Sequence, residues 1–536
     1  MDDAIERTYK QLLKGSKKWH ILTYLCWVIP ANFVYALFSM SVVFTAGVPE
    51  HHCTVPDNTS IPRKKNGDPE SCLIYSNLTS HNKTEQCFNW TYPDIDFGTT
   101  IVSEWNLVCE QNYLGELSQS FYIMGAIAAT LLIAPLADIY GRKLLFLVIN
   151  GSLVFTGIGA AYAVNYAMFA AFRVLNGMAG EACLMIAIVA SVELFPKNLR
   201  TFAGQILFVW WSIGMMLLDL MAYFIRNWRH LQLAVAIMPV ITIIDIWLIP
   251  ESVPWLLSKG KVEQAEEIVK KAAAFNGTTL PQHPFEVQTE AKEEKELGRM
   301  TLFREPILRR ITFILFALWF VNNLVYYGLS LSAAELAGDR FLNFFLMALV
   351  EIPATICCMF VLESRAGRRI ALSSFHILAG ISLILLVCVP PVTASGKNLM
   401  SLSVFLTLVG KFSIAASYNV VIQYSLELYP TSIRNTGSGT SSFTAPVAGT
   451  LAPFTAYLAR LVPWAPGVIF GVMSLFVGIL ALLLPETRGW PLPHSLEDMK
   501  QWHLPSITCG LLNRRKKNKS VRVNSNEEKE QATTLL

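Results

Sequence analysis

Five ionisable side chains lie inside long apolar runs of this chain: Glu181, Asp219, Asp245, Glu351 and Lys411. A charge near the middle of a bilayer costs roughly 2.5–3.5 kcal/mol on insertion scales, so each needs a span end, a partner, or a charged solute to meet. Asp245, close to IPES (249–252), and Lys411, near the start of its run, suit a span end or a structural ion pair. Glu351, in ALVEIPA (348–354) and followed by Pro353, is the stronger candidate for contact with a solute. A second kind of chemistry is written twice. SVELFPKNLR (191–200) returns as SLELYPTSIR (425–434), with five of ten positions identical and three exchanged for similar apolar or aromatic residues. The proline stops a helix after Phe195 or Tyr429, which frees Arg200 or Arg434 to fold back or to reach across to a neighbouring bundle. Glutamate and arginine seven residues apart, Glu193 with Arg200 and Glu427 with Arg434, are groups that can make and break ion pairs.

The elements that position these groups are membrane helices. Of the 536 residues, 53% are hydrophobic and 15% charged, against about a quarter charged in soluble domains, and mean hydropathy is +0.42. Runs such as 144–164 and 465–485 hold about 20 residues without a charge, enough to cross a hydrocarbon core. Twelve helices are expected, centred near 34, 127, 154, 182, 214, 240, 322, 351, 381, 413, 449 and 475. The fold class is therefore an all-α polytopic membrane protein. Residues 1–20 are polar and the first apolar stretch, about 21–47, is long enough to stay as a span, so no cleavable leader is expected. Net charge is +4 and the basic residues are segregated by side rather than gathered into a patch, which argues against nucleic acid as a partner.

Two long connections set the orientation. Residues 49–116 hold Cys53, Cys72, Cys87 and Cys109 with N-x-S/T sequons at Asn58, Asn77, Asn82 and Asn89. This composition indicates a glycosylated, disulfide-bonded extracellular loop, with three pairings open to four cysteines. The connection 250–310 is charged and lacks cysteine, and its apolar positions over 262–275 recur at helical spacing, as in an interfacial helix. The GRK turn (141–143), Lys197, Arg200, Arg365, Arg368, Arg369 and Arg434 share one face, which places both termini in the cytoplasm. Sequons at Asn276 and Asn518 then lie inside and stay unused.

The repeat runs through the whole chain. LADIYGRK (136–143) is echoed by LESRAGRR (362–369), and IPES (249–252) by LPET (484–487), at offsets of 226 and 235 beside the 234 of the first pair. Six helices are thus repeated in parallel, the two-bundle layout of a major facilitator transporter. Expected segments are a cytoplasmic amino terminus (1–20), one six-helix bundle (21–249), a linker (250–310), a second bundle (311–485) and a cytoplasmic tail (486–536).

At these residues the chain resembles the organic ion transporter family of the major facilitator superfamily, carriers of organic cations, anions and zwitterions, carnitine-type substrates among them. The resemblance covers about residues 20–500. It rests on VPEHHC (48–53), SEWNLVCE (103–110), the GRK turn, AYFIRNWR (222–229), IPESVPWLL (249–257), ALVEIPA (348–354), VELFP (192–196), LELYPTSIRNTG (426–437) and LLPETRGWPLP (483–493). It implies alternating access at the plasma membrane, by facilitated diffusion or by ion or exchange coupling. It also implies an inter-bundle latch built from Asp138, Arg142, Glu193, Arg200, Arg368, Glu427 and Arg434. Substrate contacts are implied at Tyr326, Tyr327, Trp211 and Glu351, with Tyr35, Asn419, Gln423 and Phe443 as lesser ones. Aromatic rings there suit substrates with an apolar or cationic part.

The resemblance fails at one informative place. The helix-11 position that is acidic in many cation carriers and arginine in many anion carriers is Pro446 here. Glu181 occupies a helix-4 position where cation carriers often have lysine. With Glu351 and Asp219 it makes a net-negative centre, favouring cations or zwitterions. YYGL (326–329) and GKFSIAASYN (410–419) are closer to the anion carriers, which keeps an organic anion exchanger as the alternative. A non-transporting receptor or chaperone of the same fold is the reading from another class; two intact latch motifs oppose it. No GxSxG, HExxH, P-loop or metal-spaced His/Cys set is present, so neither an enzyme nor a cofactor or metal site is expected, and His51 and His52 belong to the loop signature. In the tail, RRKKNK (514–519) suits anionic membrane lipid, and Thr534-Leu535-Leu536 suits a PDZ-type domain.

Overall fold

The computed structural model describes residues 2–14, 17–54, 61–63, 69–75, 84–93, 98–240, 248–281, 283–285, 300–335, 338–364, 366–389, 398–490, 493 and 496–500. Asn58, Asn77, Asn82, Asp245, Arg365, the basic run 514–519 and the terminal Thr534-Leu535-Leu536 lie outside these residues. All twelve expected helices are present among them. Spans 1 to 6 are Lys18–Met40 continuing as Val42–Thr45, Tyr113–Leu132, Arg142–Ala161, Tyr166–Glu193, Lys197–Phe224 and, in its described part, Trp228–Ile237. Spans 7 to 12 are Pro306–Leu331, Arg340–Leu349 with Glu351–Glu363, Gly367–Cys388, Met400–Leu428, Arg434–Ser442 with Thr444–Leu461, and Ala465–Ala481. Eight of these are long and apolar enough to cross a membrane by length and composition.

The sequence repeat is also a packing repeat. In the first half, span 1 packs on 5, span 2 on 4, and span 3 on 4 and 6; in the second, span 7 packs on 11, span 8 on 10, and span 9 on 10 and 12. The halves meet through spans 2 and 11 and through spans 5 and 8. Two helices are broken where proline dictates. Pro353 cannot donate to the Leu349 carbonyl, and span 8 turns at Val350; Pro446 cannot donate to Ser442, and span 11 turns at Phe443.

On one side of the spans, here the loop side, β1 (His52–Cys53) pairs with β4 (Trp90–Thr91), and β2 (Leu73–Tyr75) with β3 (Thr84–Gln86), both antiparallel. Of the three possible pairings the structure takes Cys53–Cys87 and Cys72–Cys109, with Cα separations of 5.8 and 5.7 Å. The loop is anchored at Glu104, which accepts from Trp228 Nε1 at 2.7 Å and from Arg229 Nε at 3.0 Å. Burial raises this carboxyl, but the hydrogen bonds from Arg229 and Trp228 and the Arg229 charge outweigh it and hold Glu104 below the ordinary glutamate range.

On the opposite side, here the motif side, the helix Val262–Asn276 matches the expectation at 262–275, but its apolar stripe does not face lipid. Ala265, Val269, Ala272 and Ala273 are covered by Val253, Trp255 and Leu256 and by Ile5, Tyr9 and Leu12 of an amino-terminal helix, Asp2–Leu12. Asn276 is buried: it donates to the Leu12 carbonyl at 3.4 Å and accepts from Trp19 N at 3.0 Å. A glycan there would have to break this seat.

Candidate functional site

The three repeated motifs converge at one point in each half. In the first half, Gly141 (φ +100°) lets the chain turn so that Glu251 of IPES accepts from Arg142 N at 2.9 Å and Lys143 N at 3.2 Å. A Cβ on residue 141 would crowd the Glu251 carboxylate and sit on a backbone conformation that L residues rarely adopt, so any other residue must push Glu251 aside at a cost in strain. Arg142 then reaches Glu193 at 3.3 Å, Asp138 at 2.9 Å and the Ala137 carbonyl at 3.1 Å, while Ser252 Oγ donates to Glu193 at 2.5 Å. In the second half Gly367 (φ +78°) plays the same part. Glu486 accepts from Arg368 N at 2.9 Å and Arg369 N at 3.2 Å, Arg368 meets Glu427 at 3.1 Å, and Thr487 donates to Glu427 at 2.5 Å.

Each glutamate is thus claimed by the arginine of its own bundle's turn. The arginines seven residues on fold back: Arg200 Nε donates to the Phe195 carbonyl at 3.0 Å and Arg434 Nε to the Tyr429 carbonyl at 3.3 Å. They cap the helix that the proline ended, satisfying orphan carbonyls. The ion pairs of these motif residues therefore close within bundles in this structure, whereas the resemblance implied pairs between bundles. Gln423, expected among substrate contacts, also belongs here; its Nε2 donates to Glu427 at 3.2 Å.

The centre is where the bundles touch through polar side chains. Trp211 Nε1 (span 5) donates to the Tyr326 hydroxyl (span 7) at 2.6 Å, and Ser212 Oγ donates to Glu351 (span 8) at 3.0 Å. Lys411 (span 10) is fully buried, 2.8 Å from Glu351, donates to Ser330 Oγ at 2.6 Å, and lies 3.4 Å from the Tyr326 ring centroid. Tyr35 (span 1) lies 5.3 Å from Trp211 and 6.3 Å from Tyr122, ring to ring. Tyr326 extends the aromatic cluster edge-on to Tyr327 at 5.6 Å and, tilted, to Tyr418 at 5.8 Å. Glu181 (span 4) faces this cluster, hydrogen-bonded to Tyr35 with Tyr122, Tyr327 and Tyr418 close by. Asn419 is one step removed: its side-chain Nδ2 donates to Thr355 Oγ1 at 3.2 Å and its backbone carbonyl accepts from Gln205 Nε2 at 3.4 Å. Phe443 stays outside the network, half-exposed at the break in span 11.

The charge count differs from the sequence expectation. Lys411, taken there as a span-end or structural group, neutralises Glu351, and Asp219 faces Asp339 rather than the tyrosines. A second cation, which no sequence motif marks, stands beside the cluster. Arg173, buried in span 4, donates to the Phe38 carbonyl at 3.0 Å, Ser41 Oγ at 3.4 Å and Gln119 at 2.5 Å, and covers the Tyr122 ring at 4.7 Å. Its signal in the sequence was an arginine eight residues before Glu181, two turns down the same helix. The centre is thus close to charge balance, not net negative. Among the described residues no cation stands in ion-pair range of Glu181.

Two pseudo-symmetric six-helix bundles around a polar, aromatic centre define a major facilitator carrier. Residues 74–498 match the family described as "Sugar (and other) transporter". The chain is 35% identical over 523 residues to organic cation/carnitine transporter 2 of Rattus norvegicus, covering 90% of this chain and 92% of that one. It is 34% identical over 514 residues to the organic cation transporter protein of Drosophila melanogaster, at 90% and 92% coverage. Organic anion transporter 3 of Rattus norvegicus is 33% identical over 482 residues, at 86% and 88%. The xylose transporter XylE from E. coli, in a partially occluded inward open conformation, superposes with a TM-score of 0.62 at 16% identity, covering 89% of this chain and all of that one. The chain belongs to the organic ion transporter family of the major facilitator superfamily, and is a multi-pass membrane transporter.

Proposed function

We propose that the chain moves small organic ions across the plasma membrane, with cations or zwitterions preferred, the disulfide loop outside and both termini in the cytoplasm. One observation carries the preference: Glu181 is an acid ringed by tyrosines with no basic partner among the described residues. Tyrosine faces and one carboxylate without a basic partner among the described residues together form a receptor for an organic ammonium, by cation–π attraction and charge. Glu351 serves differently, as the counter-ion of Lys411. Transport is facilitated or coupled to an ion or exchange, and the chain is not an enzyme. The motif-side groups Asp138, Arg142, Glu193, Arg200, Arg368, Glu427 and Arg434 hold each bundle's end together in this state. In the opposite state Arg200 and Arg434 release their helix caps to reach the other bundle. The tail, through 514–519 and Thr534-Leu535-Leu536, offers anionic lipid and a PDZ-type domain their contacts.

The test is uptake of a cation and anion panel by Glu181→Gln at matched surface level. Loss of one charge-assisted contact predicts cation affinity lower by about tenfold or more, with anions unaffected. Unchanged affinity across the panel would sink the cation reading. The anion alternative has its own observation. Lys411, stacked on Tyr326, becomes an anion receptor if a substrate carboxylate displaces Glu351. Anion uptake that disappears in Lys411→Ala and persists in Glu181→Gln would favour it.

A further inference from the structure

Away from the tyrosine centre, the bundles are joined on the loop side by two contacts that no motif announced. Glu116, in the first turn of span 2, is ion-paired with Arg460, in the last turn of span 11, and Arg460 Nη1 also donates to Asn112 Oδ1 at 2.9 Å. The two side chains are 12% and 19% exposed. In the other seam, where span 8 meets spans 1 and 5, Phe341 at the start of span 8 stacks on Phe44 at the end of span 1, centroids 5.6 Å apart and planes within 6°. Arg226, which follows span 5, lays its guanidinium 4.4 Å from the centroid of the Phe341 ring.

These contacts are built to open. An acid at a helix amino terminus and a base at a helix carboxyl terminus are each favoured by their own helix dipole. When the bundles part, Glu116 and Arg460 each return to a helix end that suits them, so neither is left as a stranded charge. The motif side is arranged the opposite way, with Glu193 and Glu427 bonded inside their own bundles. Joined at the loop side and satisfied separately at the motif side, the bundles are in a state closed on the loop side. We propose that Glu116–Arg460 is the latch of the loop side, formed when the carrier is closed there and released to admit solute, and that Phe341 against Phe44 is its apolar companion. Arg460 and Glu116 are positioning residues: they set how often the outward-facing state is populated and do not touch solute. The proposal rests on the transport reading but not on the sign of the solute.

The test is the rate at which an impermeant maleimide labels Ala222→Cys from the loop side in whole cells, without substrate, with labelling of the parent chain subtracted. Ala222 is buried between Phe44, Arg226 and Phe341. Glu116→Gln and Arg460→Glu are expected to label about three- to tenfold faster, a population shift of the size one lost pair produces. External KM should fall with it, since more carriers then wait facing out. The exchanged pair, Glu116→Arg with Arg460→Glu, should return the labelling rate to the parent's. Rates within twofold of the parent in both single variants at parental surface level would overturn the proposal. Should a single variant fail to reach the surface, the exchanged pair decides: parental labelling supports the latch, and fast labelling contradicts it. Because labelling needs no solute, a wrong substrate class leaves this outcome intact.

Discussion

The two motif-side networks are nearly the same machine built twice. Gly141, Arg142, Glu193, Glu251 and Ser252 have counterparts in Gly367, Arg368, Glu427, Glu486 and Thr487, down to hydrogen bonds that differ by a few tenths of an ångström. They part in two ways. Arg142 has a second carboxylate, Asp138, where the other half has Ser364, whose hydroxyl donates to the Val361 carbonyl at 2.7 Å instead. And the first half carries the disulfide loop, anchored by Glu104, while only residues 332–339 separate span 7 from span 8. The shared core is what a six-helix bundle needs to hold its ends together. The differences are extra restraints laid on the first half alone.

The largest effect should be common to both halves. Gly141→Ala and Gly367→Ala each place a methyl where a carboxylate sits and force an L residue to positive φ. Positive φ costs roughly 1–2 kcal/mol and loss of the charged hydrogen bonds about 1.5–3 kcal/mol more. Surface level and thermal stability should drop steeply and equally; a tolerant Gly367→Ala beside a failing Gly141→Ala would break the symmetry. Next comes an unequal pair. Glu427→Gln removes the carboxylate that Arg368 meets, whereas Glu193→Gln leaves Arg142 with Asp138. Transport at matched surface level should fall several-fold further in Glu427→Gln, by about 1 kcal/mol; equal losses would show that Asp138 adds nothing.

The loop anchor gives a pH test. Glu104 is held below its ordinary range, so its stabilisation is fully present above the unfolded glutamate pKa and is lost as pH falls through the lower folded value. Thermal stability of the parent chain should therefore decline as pH drops below about 4.5 more than that of Glu104→Gln, read by melting the detergent-purified protein. Parallel curves would remove Glu104 as the anchor. Smallest of all is Asp138→Asn, an exposed partner worth about 0–1 kcal/mol and weakened further by salt.

Twelve helices, two bundles and the motif repeat were legible because each depends on local chemistry: apolar length, proline placement and short motifs at a constant offset. The convergence of GRK, VELFP and IPES was only half legible, since order along the chain does not say that Glu251 folds under Arg142. Charge balance at the centre was not legible. Lys411 and Glu351 are 60 residues apart on different helices, and only packing brings them within 2.8 Å. Gln423 looked like a cavity residue by resemblance, yet its place one turn before Glu427 pulls it into the end network. Asn276 was read as an unused sequon from topology alone; its burial against Leu12 and Trp19 adds a steric reason.

The claim at the centre is that Glu181 among its tyrosines receives an organic ammonium while the two bundles alternate. Counterflow in proteoliposomes tests it most directly: uptake of a labelled organic cation, driven by unlabelled cation inside, by the parent chain and by Glu181→Gln. Trans-accelerated uptake by the parent that falls at least tenfold in Glu181→Gln is the predicted result. Equal counterflow by both chains, or none by a folded parent across a cation panel, would contradict it.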